Sequence, residues 1–379
     1  MNQRFKTLDA FRGLAALSVV VFHMHLVGSL TELDFFRGSS VFVEFFFVLS
    51  GFVLTHGYGF KQNLKFSTFM KARFFRLYPL HLFMFIVFIL LEFCKLGAYK
   101  YGGFIFNNTP FTEGMAISEI LPNLLLIQSW LPFTDPLSFN FPSWSISIEF
   151  YLYVLLFLSS VTFAKLKRYI WIITPIIAFY LMLSESEILV SSVLRGLSCF
   201  FGGALTYLLY KKIAANIKLT KLLGTVIEMA AVISVVVVVQ SDFEYQSIAA
   251  TILFYFVVLV FSFESGIVSD CLKLKPFQIA GKLSYSIYMT HAAILFCLIS
   301  SAFILQKIIG IEFAPMLNGV RYLTFGHEMI NNLIVFLILA IVILISHFTY
   351  RHIELKGQQI GKLIFITPKE NSTTQSITS

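Results

Sequence analysis

Arg12 and His23 stand eleven positions apart in one apolar stretch running from Thr7 to His23. At about 100° and about 1.5 Å per residue, that interval closes to within roughly 20° of whole helical turns and spans about 16 Å. The two side chains therefore share a helix face at different depths, a guanidinium suited to anions and an imidazole suited to moving protons. His25 falls about 220° from Arg12 and points elsewhere. Ionisable groups this far inside an apolar run are costly, and they mark a functional path or a partner.

Further polar residues interrupt the later apolar runs at helical spacing. Glu44, Gly51 and Thr55 fall within about 40° of one another, and Ser145, Glu149 and Tyr153 recur at i, i+4 and i+8. Arg195 sits on a small-residue face with Ser191, Cys199 and Gly202, and Ser284, Tyr288 and His291 share a face of their own. Serine and glycine commonly line membrane helix interfaces, but Glu44, Glu149 and Arg195 each need a partner or a role. Glu44 and His23 lie at similar depth on runs joined by a short loop, so the expectation is a carboxylate that orients the imidazole and raises its basicity. Arg73 and Arg76, at i and i+3 just before Pro79, share a face on the side from which Arg12 enters, and the three together suit a polyanion such as a nucleotide phosphate. Cys94, Cys199, Cys271 and Cys297 are isolated, so neither a disulfide framework nor a metal site is expected.

The elements that must hold these residues are transmembrane helices. Of 379 residues, 58% are hydrophobic and 13% charged, with mean hydropathy +0.83, against about 25% charged in soluble domains. The expected fold is all-α, a polytopic integral membrane protein with about ten spans, at residues 10–29, 40–58, 78–96, 144–163, 169–184, 189–210, 222–240, 247–263, 281–303 and 329–350. The first is read as a retained span, because no cleavage pattern follows it. With the N-terminus in the cytoplasm, 22 of the 28 lysines and arginines fall on the cytoplasmic side. The positive-inside rule thus predicts cytoplasmic termini, and the net charge of +8 needs no nucleic-acid partner. Residues 65–76 alternate aromatic and basic residues and read as a surface helix feeding the third span. Residues 120–130 are too short and proline-broken to span, and read as re-entrant or interfacial. The domain boundary is set at 1–365, with 366–379 a disordered cytoplasmic tail.

Five segments in order resemble the signatures of the acyltransferase family 3 membrane proteins. They are Leu8-Asp9-Ala10-Phe11-Arg12-Gly13-Leu14-Ala15-Ala16 with His23, Glu44-Phe45-Phe46-Phe47-Val48-Leu49-Ser50-Gly51-Phe52, Arg73-Phe74-Phe75-Arg76-Leu77-Tyr78-Pro79, the run from Pro142 to Tyr151, and the run from Leu283 to His291. The resemblance implies transfer of an acyl group, usually acetyl from cytoplasmic acetyl-CoA, to a hydroxyl of an extracytoplasmic glycan such as lipopolysaccharide O-antigen or exopolysaccharide. Acetyl-CoA would then be a donor substrate, with no bound cofactor. The partners would be the donor, a glycan acceptor that can be lipid-linked, and the lipids of a bacterial inner membrane. Arg12 and His23 match the family's arginine-to-histidine spacing, and Arg73 and Arg76 its paired arginines. Glu44 falls where an aspartate is common. The catalytic set is then His23 with Glu44 or Glu149 orienting it, and the binding set Arg12, Arg73, Arg76, Arg195, Ser145, Tyr153, Tyr288 and His291. A transporter or glycan flippase is the alternative, but such proteins often carry internal repeats with interrupted helices, and none is visible.

Overall fold

In hydrocarbon each backbone N–H and C=O must find a partner within the protein, so apolar sequence of this kind folds as helices. The computed structural model describes residues 4–61, 63–104, 106, 108–317 and 319–363. The described helices are α1 (Lys6–Phe22), α2 (Asp34–Arg37), α3 (Phe42–Tyr58), α4 (Phe66–Gly102), α5 (Ile120–Leu125), α6 (Ser143–Phe157), α7 (Lys167–Leu183), α8 (Ser191–Ile213), α9 (Lys221–Gln240), α10 (Gln246–Ser262), α11 (Ile267–Leu272), α12 (Lys275–Ile309), α13 (Glu328–Thr349) and α14 (Leu355–Leu363). A two-residue hairpin pairs β1 (Met316–Leu317) with β2 (Val320–Arg321). The protein is an all-α polytopic membrane protein. Among the described residues seven helical stretches are long and apolar enough to cross a bilayer. The other three expected spans coincide with α1, α7 and α10, each of 17 residues. Apolar side chains cover the outside of the bundle: Leu333 and Leu344 on α13 and Leu222 on α9 are all exposed. The expected tail, 366–379, lies outside the described residues.

Three boundaries differ from the sequence reading. The first helix stops at Phe22, not near residue 29, because the chain turns at His23 and Leu26 bridges to Leu323. Arg37 holds that turn, donating from Nη2 to the Val21 and Met24 carbonyls and from Nε to the Thr31 carbonyl. It satisfies carbonyls that the helix end would leave bare. Second, the surface helix expected at 65–76 and the third span are one continuous helix of 37 residues, α4, carried through Pro79. Gly357 and Gly361 of α14 lie directly against Pro79 and Phe75, so the weakened point is clamped from outside. Third, α12 runs 35 residues, extending the expected ninth span at both ends.

Residues 120–130 form a short helix and a turn packed between α4 and α6. The short helix α5 ends with Leu126 in the left-handed region, and every carbonyl this break exposes is met by a side chain. Tyr78 donates to the Leu124 carbonyl, Tyr151 to that of Leu125 and Ser147 to that of Leu126, while His81 Nε2 bonds the Asn123 carbonyl. Irregular backbone in a bundle survives only when buried and satisfied in this way.

Glycines set the closest helix crossings. A Cβ on Gly281 of α12 would lie 2.1 Å from the Asp9 carbonyl oxygen of α1, and one on Gly51 of α3 would lie 1.9 Å from the Phe200 carbonyl oxygen of α8. These contacts are the small-residue packing that drives association in lipid. Gly281→Ala should therefore cost about 1–3 kcal/mol, as overpacking does. Gly57→Ala, with nothing within 4 Å of the added carbon, should leave stability unchanged or slightly raised. Melting of the two variants in detergent checks this, and equal midpoints would refute the close crossing.

Candidate functional site

Five elements meet around a cavity of about 100 Å³. Arg12 comes from α1, Ser50 from α3, Arg73 and Arg76 from α4, Ser145, Glu149 and Tyr153 from α6, and Ser284, Tyr285 and Tyr288 from α12. Arg12 donates from Nε to Ser284 Oγ (2.8 Å) and from Nη2 to the Gly281 carbonyl (3.1 Å). Arg73 reaches the Tyr58 hydroxyl at 3.4 Å and lies over that ring. Glu149 Oε1 accepts from Ser50 and from Tyr153, both at 2.5 Å. Arg76 makes no hydrogen bond or ion pair among the described residues, although it lines the cavity. Three arginines against one carboxylate, with one guanidinium unengaged, make a site for an anion with several acceptor oxygens.

The cavity ends at Tyr288, whose hydroxyl accepts from Ser145 Oγ at 3.0 Å. Its ring centroid lies 5.9 Å from that of His291, and His291 lies 5.1 Å from His23. Phe141 packs on both imidazoles. His23 is the cap residue at the end of α1, not deep within it, and its Nδ1 lies 2.9 Å from the Val19 carbonyl. A carbonyl oxygen only accepts, so Nδ1 carries the proton and Nε2 presents a lone pair. His291 is fully buried, and neither ring nitrogen makes a hydrogen bond of ordinary geometry among the described residues. His25, two positions from His23, turns away as expected: its Nδ1 lies 3.0 Å from Arg37 Nη1 and its ring packs on Tyr322.

Glu44 does not reach His23. Its Oε1 accepts from Arg195 Nη2 (2.7 Å) and Nε (3.0 Å) and from Ser247 Oγ (2.7 Å), while Arg195 stands 5.0 Å over the Trp144 ring. The face of α3 bearing Glu44 and Gly51 is the face that meets α8, which accounts for the pairing. Glu149 is likewise engaged by Ser50 and Tyr153, and neither carboxylate is hydrogen bonded to an imidazole. Of the residues singled out in the sequence, Arg12, Arg73, Arg76, Ser145, Glu149, Tyr153 and Tyr288 share the cavity, and His23 and His291 adjoin it. Glu44 and Arg195 form a separate pair. The sequence reading passed over Ser50, Tyr285, Phe141 and Arg37. Arg37 did leave a trace, as one of only six basic residues outside the positive-inside side.

Residues 5–351 match the family model of an acyltransferase domain. The chain belongs to acyltransferase family 3. It is similar to the acyltransferase MdmB of Streptomyces mycarofaciens, 34% identical over 160 residues, which cover 40% of this chain and 38% of that protein. It is also similar to protein 2 in the picA locus of Rhizobium radiobacter, 45% identical over 85 residues, 21% of this chain and 41% of that one. The chain thus spans about two fifths of the length of these curated relatives. No solved structure matches it.

The Glu44–Arg195 pair yields a stability prediction. Glu44→Gln leaves a largely buried guanidinium without its carboxylate, and Arg195→Gln leaves a buried carboxylate with Ser247 as its remaining side-chain partner. Each should cost about 2 kcal/mol or more. Because the two act as a unit, the double variant should cost less than the sum of the singles. Strict additivity of the three melting shifts would contradict the pairing.

Proposed function

We propose that this family 3 protein transfers an acetyl group from acetyl-CoA to a hydroxyl of an extracytoplasmic glycan such as lipopolysaccharide O-antigen or exopolysaccharide, in a bacterial inner membrane with both termini cytoplasmic. The observation that carries the reading is the three-arginine cavity ending at Tyr288 against the His23–His291 pair. Arg73, Arg76 and Arg12 would take the phosphates of CoA from the side on which 22 of the 28 basic residues lie. The pantetheine arm would extend toward His23, over the roughly 16 Å that eleven helical residues span.

His23 Nε2 is the reacting atom in this scheme. The acceptor O–H gives its proton to Nε2 as its oxygen attacks the thioester carbonyl. The C–S bond then breaks, and the proton passes on to the departing sulfur as the free thiol forms. In the alternative order, Nε2 itself attacks the thioester carbonyl, the C–S bond breaks and the CoA thiolate leaves; the acceptor oxygen then takes the acetyl group from Nε2, and its proton goes to the thiolate. Both orders need the tautomer that the Val19 carbonyl selects. Glu149 holds Tyr153 and Ser50 against the cavity wall, which supports a positioning role for it.

Two predictions test the reading. His23→Ala should lower acetyl transfer by about 10² to 10⁴-fold, the usual share of acid–base catalysis. His25→Ala, which removes contacts to Arg37 and Tyr322 outside the cavity, should retain most of it. Acetyl-mass increments on surface glycan, compared at matched membrane levels, read both, and the reading fails if the two variants behave alike. A flippase would change the amount of glycan without that mass. The double variant Arg73→Ala/Arg76→Ala should raise the dissociation constant for CoA by roughly tenfold or more, since charge-assisted bonds contribute about 1.5–3 kcal/mol each. Unchanged affinity in the purified variant would remove the phosphates from that cavity.

A further inference from the structure

His291 is fully buried at the edge of the arginine cavity, and no step of the acyl-transfer scheme uses it. A buried imidazole normally finds a hydrogen-bond partner. Here neither ring nitrogen has one of ordinary geometry among the described residues. The ring is turned to the Ile287 and Tyr288 carbonyls of its own helix. Carbonyls only accept, so the nitrogen on that side carries the proton and the other keeps a lone pair, the same state that the Val19 carbonyl selects in His23.

His23 needs a neighbour in that state. When its Nε2 takes a proton the ring becomes a cation, and away from water a cation needs an anion or a hydrogen-bond acceptor beside it. The carboxylates expected to supply one are engaged elsewhere, Glu44 with Arg195 and Glu149 with Ser50 and Tyr153. Arg37, on the turn that follows α1, adds positive charge instead. Three rings surround the imidazole, Phe22 at 4.8 Å, Phe141 at 4.6 Å and His291 at 5.1 Å between centroids. Only His291 among them carries an acceptor atom. At that separation facing ring nitrogens stand about a hydrogen bond apart. Among the described residues the titratable or charged groups acting on the two imidazoles are each other, His25 and Arg37, and α4, α6 and α13 contribute none. Tyr288 meets His291 through its ring, while its hydroxyl is held by Ser145.

We propose that His291 is a positioning residue for His23: it accepts the Nε2–H that forms when the acceptor hydroxyl gives up its proton, and holds the two imidazoles as one N–H···N pair until that proton leaves. The electron pair of the acceptor O–H bond stays on the attacking oxygen, the C–S bond breaks with its pair on sulfur, and the shared proton ends on that sulfur. No further reactant is needed. The assignment rests on the acyl-transfer reading, in the order where His23 acts as a base, and adds to it the group that stabilises the imidazolium in place of a carboxylate.

The test measures acetyl transfer against pH with the full-length protein, and CoA affinity in parallel. His291→Phe keeps a buried ring and removes the acceptor. It should lower kcat by roughly tenfold or more, since hydrogen bonds to charged groups are the stronger ones, and leave the dissociation constant for CoA unmoved. The acid limb of the kcat profile should move to lower pH, because the protonated form of His23 has lost its stabilising partner. His291→Gln, which keeps an acceptor, should retain most of the rate and the position of that limb. His291→Leu should behave as His291→Phe does, and serves if the larger ring folds poorly. Wild-type kcat in the apolar variants overturns the proposal, and so does a lowered kcat with the acid limb unmoved, which marks a packing role. Nitrogen NMR of the labelled imidazoles reads the pair without turnover: the His23 signal should titrate at lower pH in His291→Phe than in the wild type, and an unmoved midpoint overturns the pairing. A shifted midpoint, with a wild-type protein that transfers no acetyl group, keeps the imidazole pair and defeats the acyl-transfer reading alone.

Discussion

Below its ends this bundle has no water to satisfy a polar group, so every donor and acceptor there must be met by the protein or by a ligand. Most of the structure's irregularities follow from that constraint. The broken segment 120–130 is tolerable because Tyr78, His81, Ser147 and Tyr151 meet four consecutive carbonyls in it. The end of α1 is tolerable because Arg37 reaches back to it. Glu44 is tolerable because Arg195 and Ser247 converge on one of its oxygens. Against this background the groups left unmet are the informative ones. Arg76 faces a cavity and makes no hydrogen bond or ion pair among the described residues, and His291 lies beside His23 with no hydrogen bond of ordinary geometry at either ring nitrogen among them. Other buried polar atoms among the described residues also lack a partner, Gln128 Oε1 and Asn140 Oδ1 among them, but these two stand at the arginine cavity and at its edge.

α12 orders those features. Its small residue Gly281 lets it lie against the backbone of α1, so Ser284 meets Arg12 and His291 meets His23. A single rigid helix therefore sets the separation between anion site and imidazoles, and a site built on rigid elements keeps its geometry better than one built on loops. The loop that carries His23 is stiffened instead by Arg37, whose bonds to Val21, Met24, Thr31 and His25 surround it.

Much of this was legible in the sequence. All ten apolar windows became helices, because hydropathy and length suffice to define them. Arg12, Arg73 and Arg76 were expected together because all three enter from one side, and a face shared at i and i+3 survives whatever neighbour it meets. Which faces meet was not legible. Glu44 was matched to His23 through the short loop between their helices, yet α3 turns that face to α8, and the partner proved to be Arg195, 151 residues on. Periodicity places residues on a face and says nothing of the neighbour, which is decided by glycines such as Gly51 and Gly281 permitting close approach. The end of α1 was missed for the same reason, since its cap comes from Arg37 beyond the turn and not from the helix itself.

The position of His23 at a helix end changes what the residue can do. Within α1 an imidazole would keep one orientation and one neighbour; as the cap it sits where the chain turns, with Nδ1 tied to Val19 and the other nitrogen directed away from the helix. The side that meets the arginine cavity is closed by Tyr288, held by Ser145, and the other flank of the imidazole is packed by Phe141 and His291. A proton-moving group gains from such a break, because one ring nitrogen is fixed by backbone while the other is left for whatever enters beside it. A cap residue meets that requirement, and an imidazole walled in by neighbouring side chains in mid-helix would not.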